Sequence, residues 1–183
     1  MASNLWNIDT THTGIHFSVR HMVIAKVRGS FQQFSGTLTL DEEDLTAAAV
    51  SVRIDTASIN TGVAQRDNHL RSPDFFDVEK FPAMTFQSTK VEKGSGKGLR
   101  VTGHLTIRDV TREVVLEAEA LGVGKDPWGN LKAAFEAKTT IDRRDFGLTW
   151  NQALEAGGVL VGEKIEITLE VQAARAQAGE QAA

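Results

Sequence analysis

Apolar residues recur at every second position in segment after segment of this chain, and that single pattern limits the architectures open to it. Ile15, Phe17 and Val19 alternate with His16, Ser18 and Arg20. Phe34, Gly36, Leu38 and Leu40 share one parity, as do Val50, Val52 and Ile54, and then Met84 and Phe86. Leu99, Val101, Gly103, Leu105 and Ile107 form one face of another run. Leu131 to Ile141 and Ile165 to Val171 form two more. Side chains on a strand point to opposite faces in turn, so each segment has a dry face and a wet one. One wet face favours antiparallel over parallel sheet. With a first strand at Leu5–Asp9 the chain holds about eight strands, several about ten residues long. From Val110 to Gly122 the apolar residues fall on both parities near Val114-Val115-Leu116, so the face is not set there.

Turn signals punctuate these runs. Gly94-Ser95-Gly96-Lys97-Gly98, Lys125-Asp126-Pro127-Trp128-Gly129-Asn130 and Gly157-Gly158 are hairpin tips. Between Val63 and Pro82 the period fails. Gln65 to Arg71 contains good helix formers and Ser72 to Val78 breaks them, which predicts a short helix and a long loop. Long antiparallel strands with little helix to cover them predict a closed all-β barrel or a two-sheet sandwich, closure being the way to remove exposed edges. An eight-stranded barrel is either filled by side chains or holds one small ligand. The small inward candidates Gly36, Gly103, Ala133 and Ala137 leave room inside or merely fit a taper, and the pattern does not choose between a cavity and a filled core.

At 183 residues the chain is expected to be one domain. No repeat or linker divides it. The barrel is expected over residues 1–172 and a flexible tail over 173–183, where Ala, Gln and Gly show no apolar period. There is no Cys, which excludes disulfides, Cys-based metal sites and thiol catalysis. The net charge of -4 offers no general attraction to phosphate backbones, so no nucleic-acid partner is expected. No apolar run is long enough for a spanning helix, and no stable membrane insertion is expected. No basic segment followed by an apolar one precedes the first strand, so the chain as written is expected in the cytoplasm.

No nucleotide or hydrolase signature is present. His12, His16 and His21 fall close together, but His16 and His21 have opposite parity on one strand, and no metal site is expected. Asp67 and His69, with His21, are the residues a small hydrolase or lyase would have to use on a lipid-like substrate. Two apart on a helix, Asp67 and His69 do not face each other, and Arg66 and Asp67 are expected instead to tie the helix to the barrel rim. Asp142-Arg143-Arg144-Asp145 reads either as a self-compensating charge cluster or as an anion site.

Several stretches together resemble one family. Trp6-x-Ile8-Asp9-x-x-His12 precedes Phe17-Ser18-Val19-Arg20-His21-Met22, then Val27-Arg28-Gly29-Ser30-Phe31-x-x-Phe34-Ser35-Gly36. Ser58-Ile59-x-Thr61 leads to Arg66-Asp67-x-His69-Leu70-x-Ser72-x-Asp74-Phe75-Phe76-Asp77-Val78 and Phe81-Pro82. Gly103-x-Leu105-Thr106-Ile107-x-x-Val110-Thr111 and Arg143-x-x-Phe146-Gly147-Leu148 complete the series. In this order, over about residues 5–172, they resemble the YceI-like family of polyisoprenoid-binding, lipocalin-like bacterial proteins. The resemblance implies an extended eight-stranded antiparallel barrel with a long apolar bore and a short helix and long loop between strands. It implies storage or transport of a long-chain amphiphile: a polyprenyl diphosphate, an isoprenoid quinone or a fatty-acid derivative. It implies no required cofactor, and a homodimer is common among members.

The expected ligand site is an apolar bore lined by Ile15, Phe17, Val19, Phe34, Leu38, Val52, Ile54, Phe86, Val101, Leu105, Phe135 and Ile167. The polar head is expected at a mouth among Arg20, His21, Arg66, Arg143 and Arg144, with His21 and Arg143 foremost, because an unpaired buried charge is costly. Each buried five-carbon unit contributes up to about 4 kcal/mol at roughly 0.8 kcal/mol per CH₂. Three readings therefore stand at this point: a non-enzymatic lipid binder, a small hydrolase or lyase, and a filled-core barrel acting through a protein partner.

Overall fold

A computed structural model describes residues 4–155 and 157–177. The strands are β1 (Leu5–Ile8), β2 (Gly14–His21), β3 (Ala25–Phe31), β4 (Phe34–Thr39), β5 (Ala49–Asp55) and β6 (Ile59–Asn60). After them come β7 (Ala83–Lys93), β8 (Gly98–Ile107), β9 (Val110–Lys125), β10 (Leu131–Asp142) and β11 (Val161–Arg175). One helix, α1 (Ala64–Arg71), lies between β6 and β7. All pairings are antiparallel. The ring runs β1-β4-β5-β7-β8-β9-β10-β11 and closes by β1 on β11.

Eight barrel strands are thus built from eleven segments, because the first three are interrupted. β2 continues β1, β3 runs into β4, and β6 continues β5. Successive strands are neighbours all the way round, so the barrel is an up-and-down meander. One edge of β11 pairs with β10 from Asp142↔Lys164 to Lys132↔Ala174. Its other edge is shared: Val161 to Glu170 pair with β2, and Ala173 to Arg175 pair with β1. At the break between β1 and β2 the Thr13 hydroxyl donates to the Gln172 carbonyl and accepts from the Gln172 N–H. A side chain thereby replaces the missing ladder bonds.

The two ends are closed differently. Trp6, Leu38, Leu40, Ala133 and Ala173 form a compact plug at the β1 end, with Trp6 1% exposed. Across the barrel, Phe75, Phe146 and Leu148 pack on Ile15, Phe31, Ile54, Ile59, Met84 and Ile107 under α1 and its loop. α1 has almost no apolar face of its own. It is strapped down by polar bonds: Asp67 Oδ1 accepts the Thr61 N–H and hydroxyl, Arg66 donates to the Thr61 hydroxyl and carbonyl, and Arg71 donates to the Ala57 and Ile59 carbonyls.

The expected tail boundary at residue 173 is corrected by the structure. β11 continues to Arg175, Ala173 is 0% exposed and Ala176 is buried. Alanines give a weak apolar signal, yet only a small side chain fits where β11 meets both Ala133 and Ile8. The rest of that expected tail, 178–183, lies outside the described residues. Among the described residues no helix is long and apolar enough to cross a membrane.

Candidate functional site

A cavity of about 270 Å³ runs through the barrel interior. Its wall is hydrocarbon except at Thr13, His16, Thr139 and Arg143. The structure places all twelve of the apolar residues expected in the bore, from Ile15 to Ile167, in this wall. Phe17, Phe34, Val52 and Leu105 remain only partly buried although they face inward, because they border open space. The barrel is hollow.

The small residues are not what makes it so. A Cβ at Gly103 would lie 2.5 Å from Cζ of Phe86 and 2.6 Å from the carbonyl oxygen of Gln87. At Gly29 it would meet the Phe17 ring at 2.4 Å, and at Gly36 it would meet Ile8 Cδ1 at 2.6 Å and the Ser51 carbonyl at 2.8 Å. Each glycine is a notch already filled by a neighbour, so Gly36 and Gly103 fit a taper rather than open space. Ala133 belongs to the plug, whereas Ala137 does line the cavity.

The wall also contains residues that the strand period did not single out. Leu70, Phe75 and Phe76 come from α1 and the following loop, and Phe146 and Leu148 come from the segment after β10. They cap the bore. Phe76 sets its ring edge-on to Phe31 at 5.7 Å, and Phe31 in turn contacts Phe17 at the same separation. The signal was in the sequence as Phe75-Phe76 within a polar stretch, but an aperiodic loop gives no parity from which to assign a direction.

The structure places the two foremost candidates for the polar mouth differently. Arg143 is 5% exposed and reaches the cavity wall, but its guanidinium is consumed by backbone carbonyls. Its Nε donates to Gly162 (2.8 Å), Nη1 to Leu148 (2.7 Å) and Trp150 (2.9 Å), and Nη2 to Val161 (3.2 Å). Burial pushes its pKa down, partly countered by Glu163 and Asp142. It is a staple between the start of β11 and the loop before it, not a free anion receptor. His21 stands at the end of β2, paired with Ala25 and with Val161, which lines the wall; the last residue that β2 itself contributes to the wall is Val19.

Arg144 is bound to Asp142 (2.7 Å) and Glu163 (3.2 Å), so the charge-cluster reading holds for it. Asp142 is held well below the usual carboxylate range by the Arg144 guanidinium, against the opposing effect of burial. Arg66 is spent on Thr61. Of the five candidates, Arg20 is exposed on the outer face of β2.

The acid–base residues do not assemble. Asp67 is buried and serves Thr61. His69 Nε2 pairs with Asp74 Oδ2 at 2.8 Å, its ring edge-on to Trp150 and Phe75. The Ser72 hydroxyl donates to the His69 carbonyl. None of His21, Asp67 and His69 is hydrogen-bonded to another. His12 pairs with Asp9, which also takes Lys132. Burial raises the Asp9 pKa, but the bonds from Thr11, His12 and Lys132 outweigh it and hold the carboxyl well below its usual range.

Comparison with known proteins agrees with this geometry. The model of the YceI-like domain matches residues 6–173. Protein YceI of Salmonella newport (strain SL254) is 45% identical over 138 residues, 75% of this chain and 72% of the relative. Among solved structures, the YCEI protein of Campylobacter jejuni is 34% identical with a TM-score of 0.73, covering 86% of this chain and 90% of its own. BcnA of Burkholderia cenocepacia superposes with a TM-score of 0.79 at 21% identity, over 90% of this chain and 98% of its own. A polyisoprenoid binding domain from Saccharophagus degradans superposes with a TM-score of 0.68 at 13% identity, over 95% of this chain and 99% of its own. At these last two identities the likeness is one of fold.

Proposed function

This chain belongs to the YceI-like domain family, and we propose that it is a non-enzymatic binder that stores or carries an isoprenoid or similar long-chain amphiphile in its bore. The observation that carries this reading is the hollow interior, walled by hydrocarbon, with its one charged group already satisfied by four carbonyl bonds. A dry apolar cavity of roughly 150 Å³ is enough to admit benzene. A cavity of 270 Å³ by that measure takes roughly ten carbons, about two isoprene units, before side chains must move. The fold likeness to a polyisoprenoid binding domain supports the same class of ligand.

Affinity in such a site comes from the tail. Burying one isoprene unit gains up to about 4 kcal/mol, of which ordering costs leave a part. The head rests outside the wall, since no free cation lies within it. An uncharged head, as in a prenol or a quinone, therefore suits the bore as well as a diphosphate does.

Calorimetric titration of prenol, geraniol, farnesol and geranylgeraniol, with the matching diphosphates, tests the reading. Affinity should climb steeply to geraniol or farnesol and then level, and diphosphates should bind no more tightly than alcohols. Absence of binding, or affinity independent of tail length, would overturn it. A filled-core barrel working through a protein partner is not favoured by any feature of the interior. A hydrolase would need a nucleophile and base in contact, and His21, Asp67 and His69 do not supply them.

A further inference from the structure

The chain carries a net charge of -4, yet from Gly14 to Leu40 it contains no Asp or Glu. That stretch holds Arg20, Lys26 and Arg28, with His16 and His21. It forms the β2–β3 hairpin, whose outer face shows Arg20, Lys26 and Arg28 exposed. Lys26 pairs with Glu166 of β11 at 3.2 Å; Arg20 also lies within electrostatic reach of Glu166, and neither Arg20 nor Arg28 makes a direct ion pair among the described residues.

The tip between the two strands is Met22-Val23-Ile24. These side chains are 51%, 57% and 85% exposed. Met22 and Val23 have φ of 52° and 70°, the left-handed region in which Gly or Asn ordinarily sits and a β-branched residue is out of place. The turn therefore gives up conformational stability while presenting three large apolar side chains to water. Val159, also exposed, extends the patch. Its loop is held against the tip by the Met22 N–H to Leu160 carbonyl bond. The acidic group on that loop is Glu155.

The patch is also placed where the bore ends. Register puts Val19 opposite Ile165 and His21 opposite Val161. Val19, Val161 and Ile165 all line the cavity, so its wall runs to within three residues of the tip. This end lies under the α1 cap, and the opposite end is stopped by the Trp6 plug.

We propose that the β2–β3 tip is a docking element for an anionic lipid bilayer: Met22, Val23 and Ile24 enter the interface while Arg20 and Arg28 meet the headgroups. The charge complementarity selects this occupant. An apolar tip flanked by three exposed cations set against one carboxylate, Glu166, matches a surface with hydrocarbon below and negative charge above it. The docking also rests on the reading of the bore as a lipid site, since its use is to bring the end of that site capped by α1 and its loop to the lipid.

The test is co-sedimentation of the full chain with sucrose-loaded vesicles of phosphatidylcholine, alone or mixed with phosphatidylglycerol. The wild type should bind the mixed vesicles and release in high salt. Ile24→Glu should weaken this by about tenfold or more. Ile24 is so exposed that the substitution leaves the melting temperature unchanged, and Arg20→Gln with Arg28→Gln gives an independent second variant with the same direction. Geraniol binding in vesicle-free buffer should be the same for all of them. Wild-type protein that ignores mixed vesicles, or Ile24→Glu that binds them equally, overturns the proposal. So does a wild-type dimer that Ile24→Glu splits into monomers, which would give the patch to a second copy. Loss of geraniol binding by the wild type with vesicle binding intact would instead remove the bore reading and leave the docking surface standing.

Discussion

Replacing Arg143 separates two roles that are easily confused in a lipid-binding barrel. The side chain lies at the cavity wall, where a cation would suit a diphosphate, but its donors are directed at the carbonyls of Leu148, Trp150, Val161 and Gly162. Hydrogen bonds from a charged donor contribute about 1.5–3 kcal/mol each, and they do not add. Leu148 is buried, whereas its three companions are nearer the surface and recover water once the donor is gone. Arg143→Ala is therefore expected to cost about 3 kcal/mol in all. For a domain of this size that lowers the melting temperature by about 6–12 °C. Arg143→Lys should recover little, because one ammonium cannot span four acceptors around a planar fork. Scanning calorimetry gives the shift, and hydrogen exchange should show added opening across 147–162. Geraniol and geranyl diphosphate should lose affinity alike, if at all. An unchanged melting temperature with a loss confined to the diphosphate would refute the staple and return Arg143 to the ligand.

Three further outcomes follow from the packing and the charges. Gly103→Ala should destabilise by about 1–3 kcal/mol, because the added methyl meets the Gln87 carbonyl as well as the Phe86 ring; a denaturant midpoint equal to wild type would contradict it. Ala137→Phe should fill the cavity, holding or raising the melting temperature while geraniol binding is lost; retained binding would show that the ligand sits elsewhere. Asp9 and Asp142 titrate below the 3.8 of an ordinary aspartate, so the bonds they accept stabilise the fold at every pH above that value and are lost as pH falls beneath it. Stability measured by urea should be level from neutral pH to about 4 and fall below it, and Asp9→Asn should flatten part of that fall; an Asp9→Asn profile parallel to wild type would contradict the assignment.

The barrel was legible wherever the period of two was strong. Val101, Leu105, Phe135 and Ile167 fall on one parity within clean alternations, and the register carries each to the inside. Parity also fixed the opposite faces of Ile15 and Arg20. It failed at Ala173, since an alanine at a tight strand crossing looks the same in sequence as one in a tail. It said nothing about the cap, where Leu70, Phe75 and Phe146 are aimed by polar straps such as Asp67 to Thr61 rather than by a period. The partners of Arg143 are illegible in sequence for a related reason. The sequence shows the charges beside it, Asp142 and Asp145, while its actual partners are backbone carbonyls that no sequence displays. The hollow interior was undecided because its cause is not the glycines: Phe17 and Phe86 lean into the notches at Gly29 and Gly103, so residue volumes alone could not be summed to a cavity.

The central claim is that hydrocarbon occupies the bore. Co-crystallisation with a terminally brominated analogue of geraniol, followed by measurement of the bromine anomalous signal, tests it at the level of atoms. The account predicts a peak inside the barrel, among Phe17, Phe86, Leu105 and Ile167, lost in Ala137→Phe. A peak confined to the outer surface, with the bore empty in crystals that hold the compound, would contradict it.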